Sequence, residues 1–103
     1  LEPGVEEKIL GNVEIKETYR FDKATVAGCF VLDGKIARNN RIRLVRDGIV
    51  IFTGELASLK RYKDDAKEVT SSMECGLTIK NYNDIKIGDI VEAFEEVEVK
   101  RTL

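Results

Sequence analysis

An all-β fold, a closed six-stranded antiparallel β-barrel, is predicted by three features of the sequence. Apolar and polar residues alternate with period 2 through most of the chain, as half-buried strands require. The turn dipeptides Asp33-Gly34, Asp47-Gly48 and Gly88-Asp89 punctuate that alternation. The strands so delimited are short and evenly spaced, and closing them on themselves removes exposed sheet edges. A chain of 103 residues fits one such domain.

Residues 1–10, LEPGVEEKIL, contain the only proline and read as a connector with a short helical turn at Val5–Leu10. The chain begins with Leu1 rather than Met, as expected of a domain cut from a longer protein. Residues 11–103 form the barrel domain. NVEIKETYRF puts Val13, Ile15, Tyr19 and Phe21 on one face. ATVAGCFVLD is apolar on both faces, as a central strand should be. RIRLVRD turns Ile42 and Leu44 inward and Arg41 and Arg43 outward, and Asp47-Gly48 makes a two-residue hairpin turn into IVIFTGEL. In ELASLKRYKDD, Leu56 and Leu59 fall out of period, which calls for either a bulge or a helical turn. SMECGLTIK puts Met73, Cys75, Leu77 and Ile79 on one side. IVEAFEEVEVK sets Val91, Ala93, Val97 and Val99 against a glutamate face.

Chemistry is sparse. The chain has no histidine, the commonest general base and metal ligand. No Gly-rich phosphate loop or calcium loop is present. The two cysteines, Cys29 and Cys75, lack the paired spacing of a zinc site. A binding domain without catalysis, cofactor or metal is therefore expected. Seventeen basic against nineteen acidic residues, a formal charge of -2, argue against a general nucleic-acid binder. No secretory signal or long apolar run suggests export or membrane insertion, so a cytoplasmic protein with free thiols is expected.

Three stretches stand out: AGCF (Ala27–Phe30), LKRYK (Leu59–Lys63) and ECG (Glu74–Gly76). With their surroundings, GCFVLDGKIARNNRIRLVRDGIVIFTGELASLKRYKDDAKEV, ECGLTI, NYNDIKIGDIVEAFE and VEVKRTL, they resemble the carboxy-terminal domain of bacterial translation initiation factor 2. The resemblance covers nearly the whole chain after the connector. It implies a barrel like domain 2 of elongation factor Tu. It also implies recognition of formylmethionyl initiator tRNA through its formylated acceptor end, in a monomer that meets the ribosome through its parent factor. The binding residues it implies are Cys29, Lys60, Arg61, Glu74, Cys75 and Gly76; Phe30 and Tyr62 are added on physical grounds.

A formyl cap turns a charged amine into a neutral amide, which a partly apolar pocket accepts more readily than an unpaired ammonium. Phe30, Cys29, Cys75 and Met73 are candidate neighbours for the methionine side chain. Gly76 would let the ligand reach the backbone and a free N–H. Glu74 would attract the wrong, unformylated ligand unless Arg61 or Lys60 held it. Period 2 sends Cys75 to the opposite face from Glu74 and Gly76. The triplet must then lie at a strand end or bulge, or Cys75 must support the pocket from behind. Two rival readings are a docking module with plain core cysteines and a general RNA-binding barrel. Net charge and few aromatics disfavour the second rival.

Overall fold

The computed structural model describes residues 4–99, and strands account for most of them. Residues 1–3 of the expected connector and 100–103 of the expected domain lie outside the described residues. The strands are β1 (Val5–Phe21), β2 (Ala24–Ala37), β3 (Arg41–Arg46), β4 (Ile49–Arg61), β5 (Asp64–Asp65), β6 (Glu68–Thr70), β7 (Glu74–Ile79) and β8 (Ile90–Glu98). Hydrogen bonding runs β1–β8–β3–β4–β7–β2, and β2 pairs back onto β1. Six antiparallel strands thus form a ring, with β5 and β6 as short additions to β4 and β2. Among the described residues no helix is long and apolar enough to cross a membrane.

Alternation fills the ring. Val13, Ile15, Val31, Ile42, Leu44 and Val91 are fully buried, each two residues from a similar neighbour or opposite one. The Asp47-Gly48 hairpin forms as expected, with both residues at positive φ, 53° and 77°. The bulge reading of ELASLKRYKDD also holds. The β4–β7 register slips between Leu56 and Ser58, so both Leu56 and Leu59 turn into the core.

Four expectations need correction. Val5–Leu10 form no helical turn; they begin β1 and pair with β8 from Val5–Glu98 onward. That strand runs through the expected connector boundary at residue 10. Asp33-Gly34 do not end a strand, since β2 continues through them to Ala37. Gly34 instead kinks β2 at φ +61°, and a Cβ there would lie 2.0 Å from the Leu10 carbonyl oxygen, so only glycine fits. Tyr19 and Phe21 are exposed rather than aligned with Val13 and Ile15. A register shift between Ile15 and Glu17 exchanges the faces of β1 beyond it. Met73 precedes β7 and is exposed, unlike Cys75, Leu77 and Ile79.

Asn83 ties the segment before β8 to the β1–β2 hairpin, accepting from the Thr25 amide at 3.2 Å and donating to the Lys23 carbonyl at 3.3 Å. Among the described residues the buried Thr25 hydroxyl has no partner. Thr25→Val is therefore expected to be neutral or to stabilise the fold by about 1 kcal/mol, since it removes an unmet polar group and keeps the shape. Denaturant unfolding checks this, and a loss above about 1 kcal/mol would mean that the hydroxyl has a partner after all.

Candidate functional site

The β2–β7 register sets Gly28 opposite Gly76, Cys29 opposite Cys75 and Phe30 opposite Glu74. Alternation then sorts these pairs by face. The cysteines turn into the ring, where both are buried free thiols. Gly28, Gly76, Phe30 and Glu74 face outward. Two facing glycines leave a patch of bare backbone on the outer surface. Neither glycine has the positive φ that would demand it. An added Cβ would meet nothing closer than 3.9 Å at Gly76 or 3.5 Å at Gly28. Folding itself does not require either one.

Side chains rise around this floor to make an open groove of about 510 Å³. The register shift near Lys16 turns Tyr19 outward, 49% exposed, with its ring edge over Gly28. Its hydroxyl donates to the Glu17 carboxylate, and that bond, with the nearby charge, holds the phenol above its ordinary pKa. Tyr62 occupies the tip of the β4–β5 hairpin at φ 58°, exposed, with the Arg61 guanidinium 5.0 Å from its ring centroid. Positive φ is unusual for an aromatic residue, and it fixes where Tyr62 points. Lys16, Phe30 and Glu74 complete the rim.

The groove brings together six of the eight residues expected from sequence: Cys29, Phe30, Tyr62, Glu74, Cys75 and Gly76. Lys60 and Arg61 are not in its lining. Lys60 pairs with Gly76 from the β4 side, and Arg61 donates from Nη1 to the Glu74 backbone carbonyl at 3.0 Å. The expected ion pair to the Glu74 carboxylate is not formed among the described residues; Arg61 reaches the main chain instead. Gly76 also has a paired strand on each side, so its amide belongs to the ladders and what it exposes is flat backbone. Lys16, Glu17, Tyr19 and Gly28 are additions that the sequence reading did not make. Gly28 had a signal, since it precedes Cys29 as Gly76 follows Cys75.

Cys75 lies behind the floor, 6% exposed, which favours support from behind over direct presentation. The two thiols interact across the strands. Hydrogen bonding to Cys75 and burial push Cys29 well up, while the same bond lowers Cys75 against burial, helped by the charge of Arg61.

In alignments of 104 positions that cover the whole chain, it is 61% identical to the translation initiation factor IF-2 of Oleidesulfovibrio alaskensis and 57% identical to that of Parabacteroides distasonis. The chain matches a domain-sized stretch of translation initiation factor IF-2. The IF-2 of Staphylococcus aureus is 56% identical over 102 residues. The chain spans only 11% of the first two IF-2 relatives and 14% of the third. No family model matches the chain. The groove therefore lies on a chain that is similar to a domain-sized stretch of IF-2.

Proposed function

We propose that the groove recognises the formylated aminoacyl end of formylmethionyl initiator tRNA during translation initiation. The ring would then be a closed β-barrel of the kind found in domain 2 of elongation factor Tu. It would work as a non-catalytic, cofactor-free, monomeric unit in the cytoplasm, meeting the ribosome through its parent factor. One observation carries this reading: Gly28 and Gly76 face each other on the groove floor although neither backbone angle nor packing requires glycine. Side chains absent for no internal reason leave room for an external molecule.

The chemistry of the walls suits that ligand. The floor is uncharged peptide backed by two thiols, which accommodates a neutral formamide but desolvates an ammonium at a cost. Glu17 is engaged by the Tyr19 hydroxyl, and Glu74 lies at the exposed rim, where water screens its charge. Tyr19 and Tyr62 offer aromatic faces, and Lys16 in the groove, with Lys60 and Arg61 beside it and Lys63 exposed in the adjoining turn, offers positive charge to the acceptor end.

Titrating the chain with formylated and unformylated aminoacyl initiator tRNA tests the reading. The formylated form is expected to bind at least about tenfold more tightly, as an uncompensated buried charge implies. Equal binding of the two forms would overturn it.

A further inference from the structure

The cysteines and Met73 were expected to receive the methionine side chain, yet the cysteines are buried inside the ring. The apolar surface beside the groove lies elsewhere. On β2, Gly28, Phe30 and Leu32 share the outer face, because Cys29 and Val31 point inward and are buried. The β1–β2 register slips here, pairing Asn12 with Asp33 and Val13 with Val31, so Leu32 has no cross-strand partner on β1. It stands 45% exposed. Across from it, the Val31 amide donates to the Met73 carbonyl at 2.9 Å, and the Ser72 amide to the Val31 carbonyl at 2.8 Å. These bonds bring Met73, 42% exposed, alongside Leu32 just before β7 begins. Phe30, a wall of the groove, links the groove to both.

We propose that Phe30, Leu32 and Met73 form the subsite for the ligand's linear apolar side chain, continuous with the glycine floor. This inference rests on the function proposed above. The formamide and ester lie over Gly28 and Gly76, and the side chain runs outward along β2 past Phe30 to Leu32 and Met73. Two flexible or branched apolar side chains flanking an aromatic ring offer dispersion contacts to a thioether chain without charge or hydrogen-bond demand. The subsite therefore selects for side-chain length and apolarity, separately from the formyl group.

The test uses hydrolysis-resistant ligands in which 3′-amino-3′-deoxyadenosine carries N-formylmethionyl or N-formylglycyl through an amide. NMR titration of the 103-residue chain is expected to show about tenfold tighter binding of the methionyl compound. Leu32→Ser with Met73→Ser is expected to reduce that preference to less than about threefold, with binding of the glycyl compound unchanged. Both positions are half exposed, and the amide spectrum of the variant verifies its fold. The subsite is wrong if the wild-type chain shows no preference, or if the doubly substituted chain retains it. Failure of the wild-type chain to bind either compound would instead overturn the proposed function, and this inference with it.

Discussion

Asp89→Ala is expected to destabilise the fold by about 3 kcal/mol, among the largest effects of any single polar substitution here. The carboxylate is 2% exposed. It accepts from Arg46 Nε at 2.9 Å and Nη2 at 2.8 Å, and from the Lys86 amide at 2.9 Å. Arg46 also donates to the Asp84 carbonyl at 2.8 Å, so one guanidinium fastens the β3–β4 hairpin to the segment before β8. Removing the carboxylate strands the Lys86 amide and leaves Arg46 without its buried partner. A Tm decrease of more than about 12 °C should follow.

Acid should act in the same direction. Burial alone would push the Asp89 carboxyl up, but Arg46 and the Lys86 amide hold it below its ordinary value. A carboxylate depressed in the folded state contributes stability above the unfolded pKa, near about 4, and loses it as pH falls through the folded value. The stability gap between wild type and Asp89→Ala should therefore narrow only below about pH 4. A gap independent of pH would show that the carboxylate's charge is not what counts.

Gly76→Ala is expected to move stability and binding in opposite directions. A glycine inside a strand costs roughly 0.5–1 kcal/mol relative to alanine, and the new Cβ meets nothing nearer than 3.9 Å, so the variant should be slightly more stable. Its methyl group would project from the groove floor opposite Gly28, where the ligand is proposed to lie. Binding of the formylated acceptor end should weaken at least about tenfold. Parallel denaturation and titration decide the matter. A destabilised variant would make the glycine structural, and unchanged binding would remove the groove floor from the site.

Much of this was legible in the sequence, and the failures share a cause. Inward and outward faces follow from alternation wherever a strand lies flat against the core, as Ile42 and Leu44 or Leu77 and Ile79 do. The Leu56–Leu59 slip was visible because both residues are apolar and must both be buried. The slip beside Lys16 was not visible, since Tyr19 and Phe21 are compatible with either face, and a bulge leaves no mark on residue type. Val5–Lys8 lacked alternation because that part of β1 pairs with β8 beyond the ring and has no core to face, whereas Leu10 already packs against the core. Asp33-Gly34 carries turn chemistry but uses it to bend a strand around Leu10. In the site, the glycines and cysteines could be sorted by period alone. The partner of Arg61 could not, because a main-chain carbonyl is present at every residue.

The β1–β8 ribbon also gives the molecule a mechanical character. In the ladder Val5–Lys8 and Glu95–Glu98 pair only with each other, and the Gly4 carbonyl accepts from the Val99 amide at 2.6 Å at the open end. Tension between residues 4 and 99 would pull along these cross-strand bonds and load them one after another, as in a zipper. The opening would stop at Gly11, where β2 joins β1 and the backbone of Lys35 packs closely enough to leave no room for a Cβ. At about 3.3 Å per residue, the freed arms 4–10 and 95–99 would release roughly 40 Å of chain. The groove lies on the far side of that stop, in the ring. A pull on the ribbon would therefore lengthen the tether at low force while the glycine floor kept its shape.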